Sequence, residues 1–413
     1  MGYQTSFFNS ISQIPARQWD QLAAQANPFL HYNFLHALEV NGCVGEDTGW
    51  LPHFAALYDD ATLVAVIPGY FKTDSYGEYV FDQGWAQAYH QHGLAYYPKW
   101  VGAIPFTPVT GPRWLLNTDY MQEHQLEEAT VIGDFLQQIT HLLRHQVSSL
   151  HMLFPAKVYP ATDTQTAWHQ RYSVQFQWHN YHYREFNDFL NALTSRKRRS
   201  FRKARQQLDQ AGMVITQKTA GQISAADIAF FIRCYQQTYL KRSGHTGYLN
   251  PAFFNHIFTH MRDQILLVSA SQHNEPCASA LFFFDSEGLY GRYWGALQEI
   301  DGLHFECCYF QGIDFAIRQQ LAFFNPGTQG EHKILRGFEP VYCQSAHYLY
   351  EPAFHAAVGD FVKRETPAIT QYYRQAAEVL PFNDAFTARL KTTTTSDVPS
   401  DILTIRQRND NEI

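Results

Sequence analysis

Charged residues are scarce in this 413-residue chain, 17% of the total, and neither sign dominates: 31 Lys and Arg face 38 Asp and Glu for a net charge of −7. That balance excludes a wholly basic nucleic-acid coat, and 45% apolar residues exclude a mostly disordered chain. Cysteine is sparse too. The six (Cys43, Cys234, Cys277, Cys307, Cys308, Cys343) include no CxxC pair and cannot build a disulfide-dense scaffold, so a reducing compartment is expected. No apolar run reaches the roughly 18 to 20 residues needed to cross a bilayer. Asn9, Gln13, Arg17, Asp20 and Gln21 interrupt what would be the apolar core of a signal peptide. The expectation is a cytoplasmic protein with no stable membrane insertion. GxSxG, P-loop and Rossmann fingerprints are missing. His141 with His145, and His256 with His260, have the spacing of helical metal ligands but lack the glutamate of HExxH and a third ligand, so no metal site is expected.

What is abundant is aromatic ring, 16% of residues, which points to extensive buried or ligand-facing ring surface. Length predicts two or three domains. Alternating apolar residues in His53–Tyr58 and Thr62–Tyr70, broken at Asp59-Asp60, predict a hairpin followed by a third strand at Glu78–Phe81. The pattern returns two hundred residues later. Ile265–Ser271 and Cys277–Phe284 flank His273-Asn274, and a third strand is predicted at Leu289–Trp294. Both blocks carry DSxGxY, at Asp74–Tyr79 and Asp285–Tyr290, which predicts an internal duplication. Helical periodicity marks Ala16–Gln25, Tyr32–Val40, Glu123–Arg144, Tyr183–Gln210, Ala225–Lys241 and Leu303–Gln320. The turn-rich stretch Tyr159–Thr164 predicts a boundary, giving units 1–165 and 166–388, and 389–413 reads as a flexible tail.

Three constellations carry candidate chemistry. Arg196–Arg205 packs seven cations into ten residues with no acid. Removing seven cations from a chain of net −7 leaves −14 elsewhere, so positive charge is concentrated here. At 100° per residue all but Lys197 fall on one half of a helix, opposite Leu193, Phe201, Ala204 and Leu208. The cationic half is either a solvated face or a phosphate-binding one, with Arg198, Arg199, Arg202 and Arg205 as its anion ligands. Glu306 precedes Phe310, Ile313 and Ile317 at i+4, i+7 and i+11, which puts a carboxylate on an apolar stripe where it needs a partner. Finally Pro326–Gly337 packs Glu331, His332, Lys333 and Arg336 between glycines. If Glu331 to Arg336 is extended, His332 and Arg336 share one face and Glu331 and Lys333 the other, as a solvent-edge strand or an acid/base site would have them.

LYGRYWG at Leu289–Gly295, HFECCYFQGIDFAI at His304–Ile317 and GTQGEHKILRGFEP at Gly327–Pro340 resemble the FemAB-like group of the GNAT-type acyltransferase superfamily. The first half adds SYGEYVFD at Ser75–Asp82, YYPK at Tyr96–Lys99 and PFTPVTGPR at Pro105–Arg113, so the likeness runs from about residue 28 to about 375. It implies an α/β fold of two tandem GNAT-like domains, each a mixed sheet flanked by helices. It also implies transfer of an acyl group to an amine acceptor, from aminoacyl-tRNA as in the FemAB enzymes or from acyl-coenzyme A as elsewhere in the superfamily, with no tightly bound cofactor. The superfamily's pyrophosphate loop, [QR]xxGx[GA], is departed from at Arg292–Leu297, where Leu297 stands in place of a small residue.

A lysine-like amine is almost wholly protonated at pH 7, so a base is useful, and His332 or Glu306 would serve. Lys333 or a backbone amide would face the oxyanion. Arg292, Trp294, His304, Gln329, Glu331 and Arg336 complete the expected substrate-binding set. Competing readings are a non-catalytic module binding RNA or a cell-wall precursor, and an acetyl-coenzyme A-dependent acetyltransferase of small amines.

Overall fold

The computed structural model describes residues 2–158, 167–328 and 330–393. The turn Tyr159–Thr164 and the tail beyond Thr393 lie outside them, as does Gln329.

The first half runs β1 (Gln4–Phe8), α1 (Ala16–Leu22), α2 (Tyr32–Val40), β2 (Trp50–Pro52), β3 (Phe54–Asp59), β4 (Thr62–Ile67), β5 (Gly69–Lys72) and α3 (Gln83–Gln91). It continues with β6 (Lys99–Gly102), β7 (Leu115–Leu116), α4 (Thr118–Glu123), α5 (Glu128–Leu142) and β8 (Ser149–Leu153). The second half runs β9 (His169–His179), α6 (Phe186–Ala192), α7 (Ser195–Gln210), β10 (Met213–Thr219), α8 (Ala225–Ser243), α9 (Pro251–His260), β11 (Ile265–Gln272), β12 (Glu275–Phe284) and β13 (Gly288–Ala296). A helix in three parts follows: α10 (Leu303–Phe305), a π segment over Glu306–Phe310, and α11 (Gln311–Arg318). Then come β14 (Phe323–Asn325), a 3₁₀ turn over Glu331–Arg336, β15 (Glu339–Leu349), α12 (Pro352–Glu378) and α13 (Asp384–Thr393).

The strand pairings repeat. β1 pairs antiparallel with β3, β3 with β4, and β5 with β6, while β6 and β8 run parallel. In the second half β10, β11, β12 and β13 pair antiparallel in turn, and β13 runs parallel to β14. Within the second half β9 pairs with β14 and with β15, and β15 then crosses to pair with β8 of the first half. One sheet of eleven strands, β10-β11-β12-β13-β14-β9-β15-β8-β6-β5-β2, therefore crosses both halves. Rings stitch them further, with Phe29 against Phe283 at 5.0 Å and Tyr290 at 5.5 Å, and Phe34 against Phe253 at 5.6 Å. Each such fully buried ring contributes about 1.5–3 kcal/mol.

Both DSxGxY turns follow the third strand of this repeat and share one device. Asp74 accepts from the Tyr76 amide and Asp285 from the Glu287 amide, each at 2.8 Å, closing an Asx turn. The predicted strand Glu78–Phe81 is not formed. Lys99–Gly102 holds that place in the sheet, because 26 residues including α3 intervene where the second half has a tight turn. The predicted helix Tyr183–Gln210 is split at Leu193-Thr194, whose extended backbone lets the Thr194 amide bond to Pro381 O at 2.9 Å. Of the predicted helix Glu123–Arg144, Glu128–Leu142 forms α5, and Glu123 is the last residue of the separate helix α4.

A cationic cleft where two parallel strands part

β13 and β14 pair only over Gly288–Tyr290 and Phe323–Asn325. Beyond Tyr290, β13 stays with β12 while the chain after Asn325 turns away, and the gap opens a cleft of about 440 Å³. Arg292, Trp294 and Thr328 line its two edges. In the first half the matching gap past β6 and β8 is filled by Arg113. Its side chain is fully buried, with Nε donating to Leu153 O and Nη2 to Val109 O, both at 2.5 Å. PFTPVTGPR thus closes one gap and leaves the other open.

Helix α8 lays Tyr235, Tyr239 and Arg242 along the cleft at i, i+4 and i+7. It starts on a Ser224/Asp227 capping box and stops at Gly244 in the left-handed region, φ 72°. Across from it, the π segment inserts an extra residue into the turn and shifts the helix phase. His304, Cys308 and Tyr309 reach the cleft, and Glu306 points elsewhere. Its carboxylate takes a two-pronged ion pair from Arg205 at 2.9 Å and a bond from Gln311 at 2.8 Å. The partner that an apolar stripe demanded is supplied by the basic helix, and Glu306 does not line the cleft.

The segment Glu331–Arg336 is not extended. Gly330 (φ 110°) and Gly337 (φ 84°) bracket a 3₁₀ turn closed by Lys333 N to Gly330 O and Gly337 N to Ile334 O. The turn sends Lys333 inward, 2% exposed, with Nζ donating to Gly327 O at 2.6 Å. Burial holds its ammonium down at about 7 against an ordinary 10.5. His332 stands outside the cleft, its Nε2 2.8 Å from the Tyr309 hydroxyl, which is inside. Burial first, then His332, Arg242, Arg336 and Lys333, hold His304 down to about 4, so its ring is neutral at pH 7. Arg336 covers the Phe305 ring at 3.4 Å and Glu331 accepts from Tyr372, so neither lines the cleft.

Of the expected residues, the structure brings Arg292, Trp294, His304 and Lys333 together, with His332 one hydroxyl away. Sequence reasoning missed the α8 row, Tyr309, and Tyr79, which reaches in from the first half. Among the described residues no Asp or Glu lines the cleft, against Arg242, Arg292 and Lys333. The pyrophosphate-like stretch Arg292–Ala296 is strand, and the Leu297 amide is committed to Cys277 O at 2.8 Å. Among the described residues no three His, Cys, Asp or Glu gather as metal ligands, and no helix is long and apolar enough to cross a membrane.

On α7, Arg198 and Arg202 donate to Asn191 at 3.0 Å and Asn187 at 2.7 Å, both at exposed positions, and Arg199 is exposed. Arg205 is different, since removing it strands a buried carboxylate. Arg205→Ala is expected to lower stability by about 2–3 kcal/mol, less than the ~3–5 of a fully buried pair because Arg205 keeps 32% exposure. Arg198→Ala and Arg202→Ala should stay within about 0.5 kcal/mol. Urea unfolding of the three variants measures the contrast.

A repeated pairing scheme, each copy ending in a parallel strand pair, defines two tandem GNAT-like domains in a mixed α/β chain. Residues 10–384 match the FemAB-like family model, described as peptidoglycan biosynthesis/recognition, and the chain belongs to that family. No curated protein sequence matches it. The solved structure of FemX is similar with a TM-score of 0.50 at 10% identity, over 86% of this chain and 99% of that one. L-PGS from Bacillus licheniformis gives 0.46 at 11% identity, over 84% and 96%. A tandem GNAT protein from the clavulanic acid biosynthesis pathway gives 0.41 at 9% identity, over 85% and 99%.

Proposed function

We propose that this protein is an N-acyltransferase that moves an aminoacyl group from an ester donor of the aminoacyl-tRNA kind to an amine. The observation that carries this reading is the cleft itself: among the described residues three cations and no acid line it, and one of the three, Lys333, is buried at the point where β13 and β14 part. Family membership supports it, since the nucleotide end of such a donor is anionic and the FemAB enzymes use one. An ester rather than a coenzyme A thioester is favoured because the Leu297 amide is already bonded and Glu299 and Asp301 stand just before α10, where a pyrophosphate would be repelled.

In this scheme Arg242 and Arg292 hold donor phosphate or hydroxyl oxygens, while Trp294 and the α8 tyrosines pack the terminal base. The amine nitrogen attacks the donor carbonyl carbon, and the charge that builds on its oxygen faces the Lys333 ammonium. Once attached, the nitrogen sheds a proton to the Tyr309 hydroxyl, which passes its own to neutral His332 at the surface. The carbon–oxygen ester bond breaks, and the leaving ribose hydroxyl is reprotonated. Arg198, Arg199 and Arg202 supply longer-range attraction for the donor. The working division assigns the chemistry to residues 166–388, with Tyr79 lent by 1–165.

Incubating the protein with charged tRNA and acyl-coenzyme A pools, together with primary amines, and following each by mass spectrometry tests this. Charged tRNA is expected to be deacylated with formation of a new amide. Consumption of acyl-coenzyme A alone would replace the donor, and consumption of neither would leave a binding module.

A further inference from the structure

The transfer scheme leaves unused a row of buried polar side chains where β8 and β15 pair. Both strands carry Ser-x-His, as Ser149 to His151 and Ser345 to His347, and the register sets the two imidazoles directly opposite each other. Their Nδ1 atoms lie 2.7 Å apart, and each Nε2 stands 2.8 Å from the serine hydroxyl of its own strand. The Tyr96 hydroxyl lies 3.3 Å from His151 Nε2 and donates to Asp82 at 2.7 Å. None of these six residues is more than 4% exposed, and Trp85 of α3 packs against both imidazole rings.

A hydroxyl carries one proton, and that fixes the direction of the row. The Ser148 proton goes to the carbonyl oxygen of Tyr96, which can only accept. The 3.2 Å contact between Ser148 and Ser149 therefore uses the Ser149 proton, and the contact of Ser149 with His151 uses a proton on His151 Nε2. Tyr96, its own proton given to Asp82, asks the same of His151. Burial first, then Lys99, holds His151 well below its ordinary 6.5, and burial first, then His151, does the same to His347, so both rings are neutral at pH 7. His151 Nδ1 is then bare, and the 2.7 Å bond needs the proton on His347 Nδ1. That leaves His347 Nε2 bare and makes the Ser345 hydroxyl its donor. The two ends of the row differ: Ser149 faces an N–H, whereas Ser345 faces a base.

Ser345 is also the end that opens on space. It lines a second cavity of about 200 Å³ between β9, β15, α12 and the segment Tyr79–Phe81, below the roughly 300–1,000 Å³ of common small-molecule pockets. Arg171, the register partner of Ser345 on β9, shares its face of the sheet and lines the same cavity. Its Nε and Nη2 donate to Glu365 and its Nη1 to Phe81 O, which leaves two of the five N–H groups of a guanidinium without a bond among the described residues. A serine within hydrogen-bond reach of a base that a third group orients is an activated nucleophile. We infer that Ser345, His347 and Arg171 form a second reaction centre, which cleaves esters of short-chain acids through an acyl-Ser345 intermediate, with His151 positioning the base. None of these residues lines the cleft, and the inference does not depend on the transfer reading. Ser345 Oγ attacks the ester carbonyl carbon while its proton passes to His347 Nε2, and the negative charge on the carbonyl oxygen faces the remaining N–H groups of Arg171. The carbon–oxygen bond to the alcohol breaks, and His347 gives the proton to the departing alkoxide. Water then attacks acyl-Ser345 with His347 as base, the acid leaves, and the proton returns to Ser345 Oγ.

The test treats the full chain with p-nitrophenyl acetate, and separately with a small alkyl fluorophosphonate as a trap. Release of p-nitrophenol is expected, with one acetyl or one phosphonyl group recovered on Ser345 by peptide mapping, and unfolding in urea should abolish that adduct. Ser345→Ala should lose it, and His347→Gln should slow acylation by about 10²–10⁴-fold. Mapping of the wild-type chain decides even where a variant fails to fold: an adduct confined to lysines or to other serines, or no adduct at all, would overturn the centre. Long-range proton–nitrogen NMR spectra of the untreated protein read the row directly. His347 is expected with its proton on Nδ1 and His151 with its proton on Nε2; the reverse pair of tautomers would make Ser345 an acceptor and overturn the role of His347 as base. The two readings fail separately. Turnover of charged tRNA without acetyl-Ser345 removes this centre alone, and acetyl-Ser345 without turnover of charged tRNA removes only the transfer.

Discussion

Lys333→Met is expected to lower kcat by about 10²–10³, the usual effect of deleting one oxyanion donor, and at the same time to make the folded protein more stable near pH 6. The two effects have one cause. Lys333 is 2% exposed and has no carboxylate against it among the described residues, and burial brings its ammonium from 10.5 to about 7. The folded-state value is therefore the depressed one. Between about 7 and 10.5 the unfolded chain binds a proton that the folded chain does not, so wild-type stability rises with pH across that window, and below 7 the full penalty is present. At ~1.4 kcal/mol per pH unit the penalty has a ceiling of about 5 kcal/mol, reduced by loss of the bond to Gly327 O, worth about 1 kcal/mol. Methionine fills the same space with no charge to desolvate. Thermal unfolding at pH 6 and pH 10 should show the variant more stable at the first and close to wild type at the second. Equal midpoints at pH 6, or a variant that turns over normally, would remove Lys333 from the oxyanion role.

The residue pattern made the duplication legible because period-two alternation and the Asp of each DSxGxY turn are local signals, and the structure uses both locally. What no local signal carries is the pairing of β15 with β8, which runs one sheet through both halves. Nor could spacing show that Arg113 would plug the first gap. The helix Leu303–Gln320 was readable as a helix, but its π segment was not, and that phase shift turns Glu306 toward Arg205 and puts Cys308 and Tyr309 in the cleft. Reading Glu331–Arg336 as a strand went astray for a related reason: glycines at both ends mark a turn as readily as an edge. The row Tyr235, Tyr239 and Arg242 was visible at i, i+4 and i+7. A helix in an aromatic-rich chain has many such rows, and only the fold shows which one meets the opening.

Lys99→Met is expected to destabilise the protein by about 3–5 kcal/mol, the range for breaking a buried ion pair from one side, and by more at pH 8 than at pH 5. Lys99 Nζ donates to Glu78 at 2.8 Å, to Asp82, and to Ser75 at 3.1 Å, and none of the three charged groups is more than 4% exposed. Even beside this lysine, burial raises the Glu78 carboxyl from 4.5 to about 7. A raised folded-state value means that the folded chain holds the proton through a window where the unfolded chain has lost it, so ionising Glu78 erodes stability as pH climbs from 4.5 past 7. Deleting the lysine removes the counter-charge and extends that erosion upward, whereas at pH 5 a protonated Glu78 leaves only Asp82 to accommodate. Glu78→Gln placed on top of Lys99→Met should therefore restore part of the loss at pH 8 and little at pH 5. The same network fixes the backbone on both sides of Tyr79, which lines the cleft. Any purified enzyme from the single variant should accordingly lose kcat at temperatures well below its unfolding midpoint, and the double variant should regain it only so far as Tyr79 returns to φ near 60°. A loss of stability independent of pH, with no rescue by the second substitution, would mean that the lysine matters for its packing against Tyr96 and Tyr97 and not for its charge.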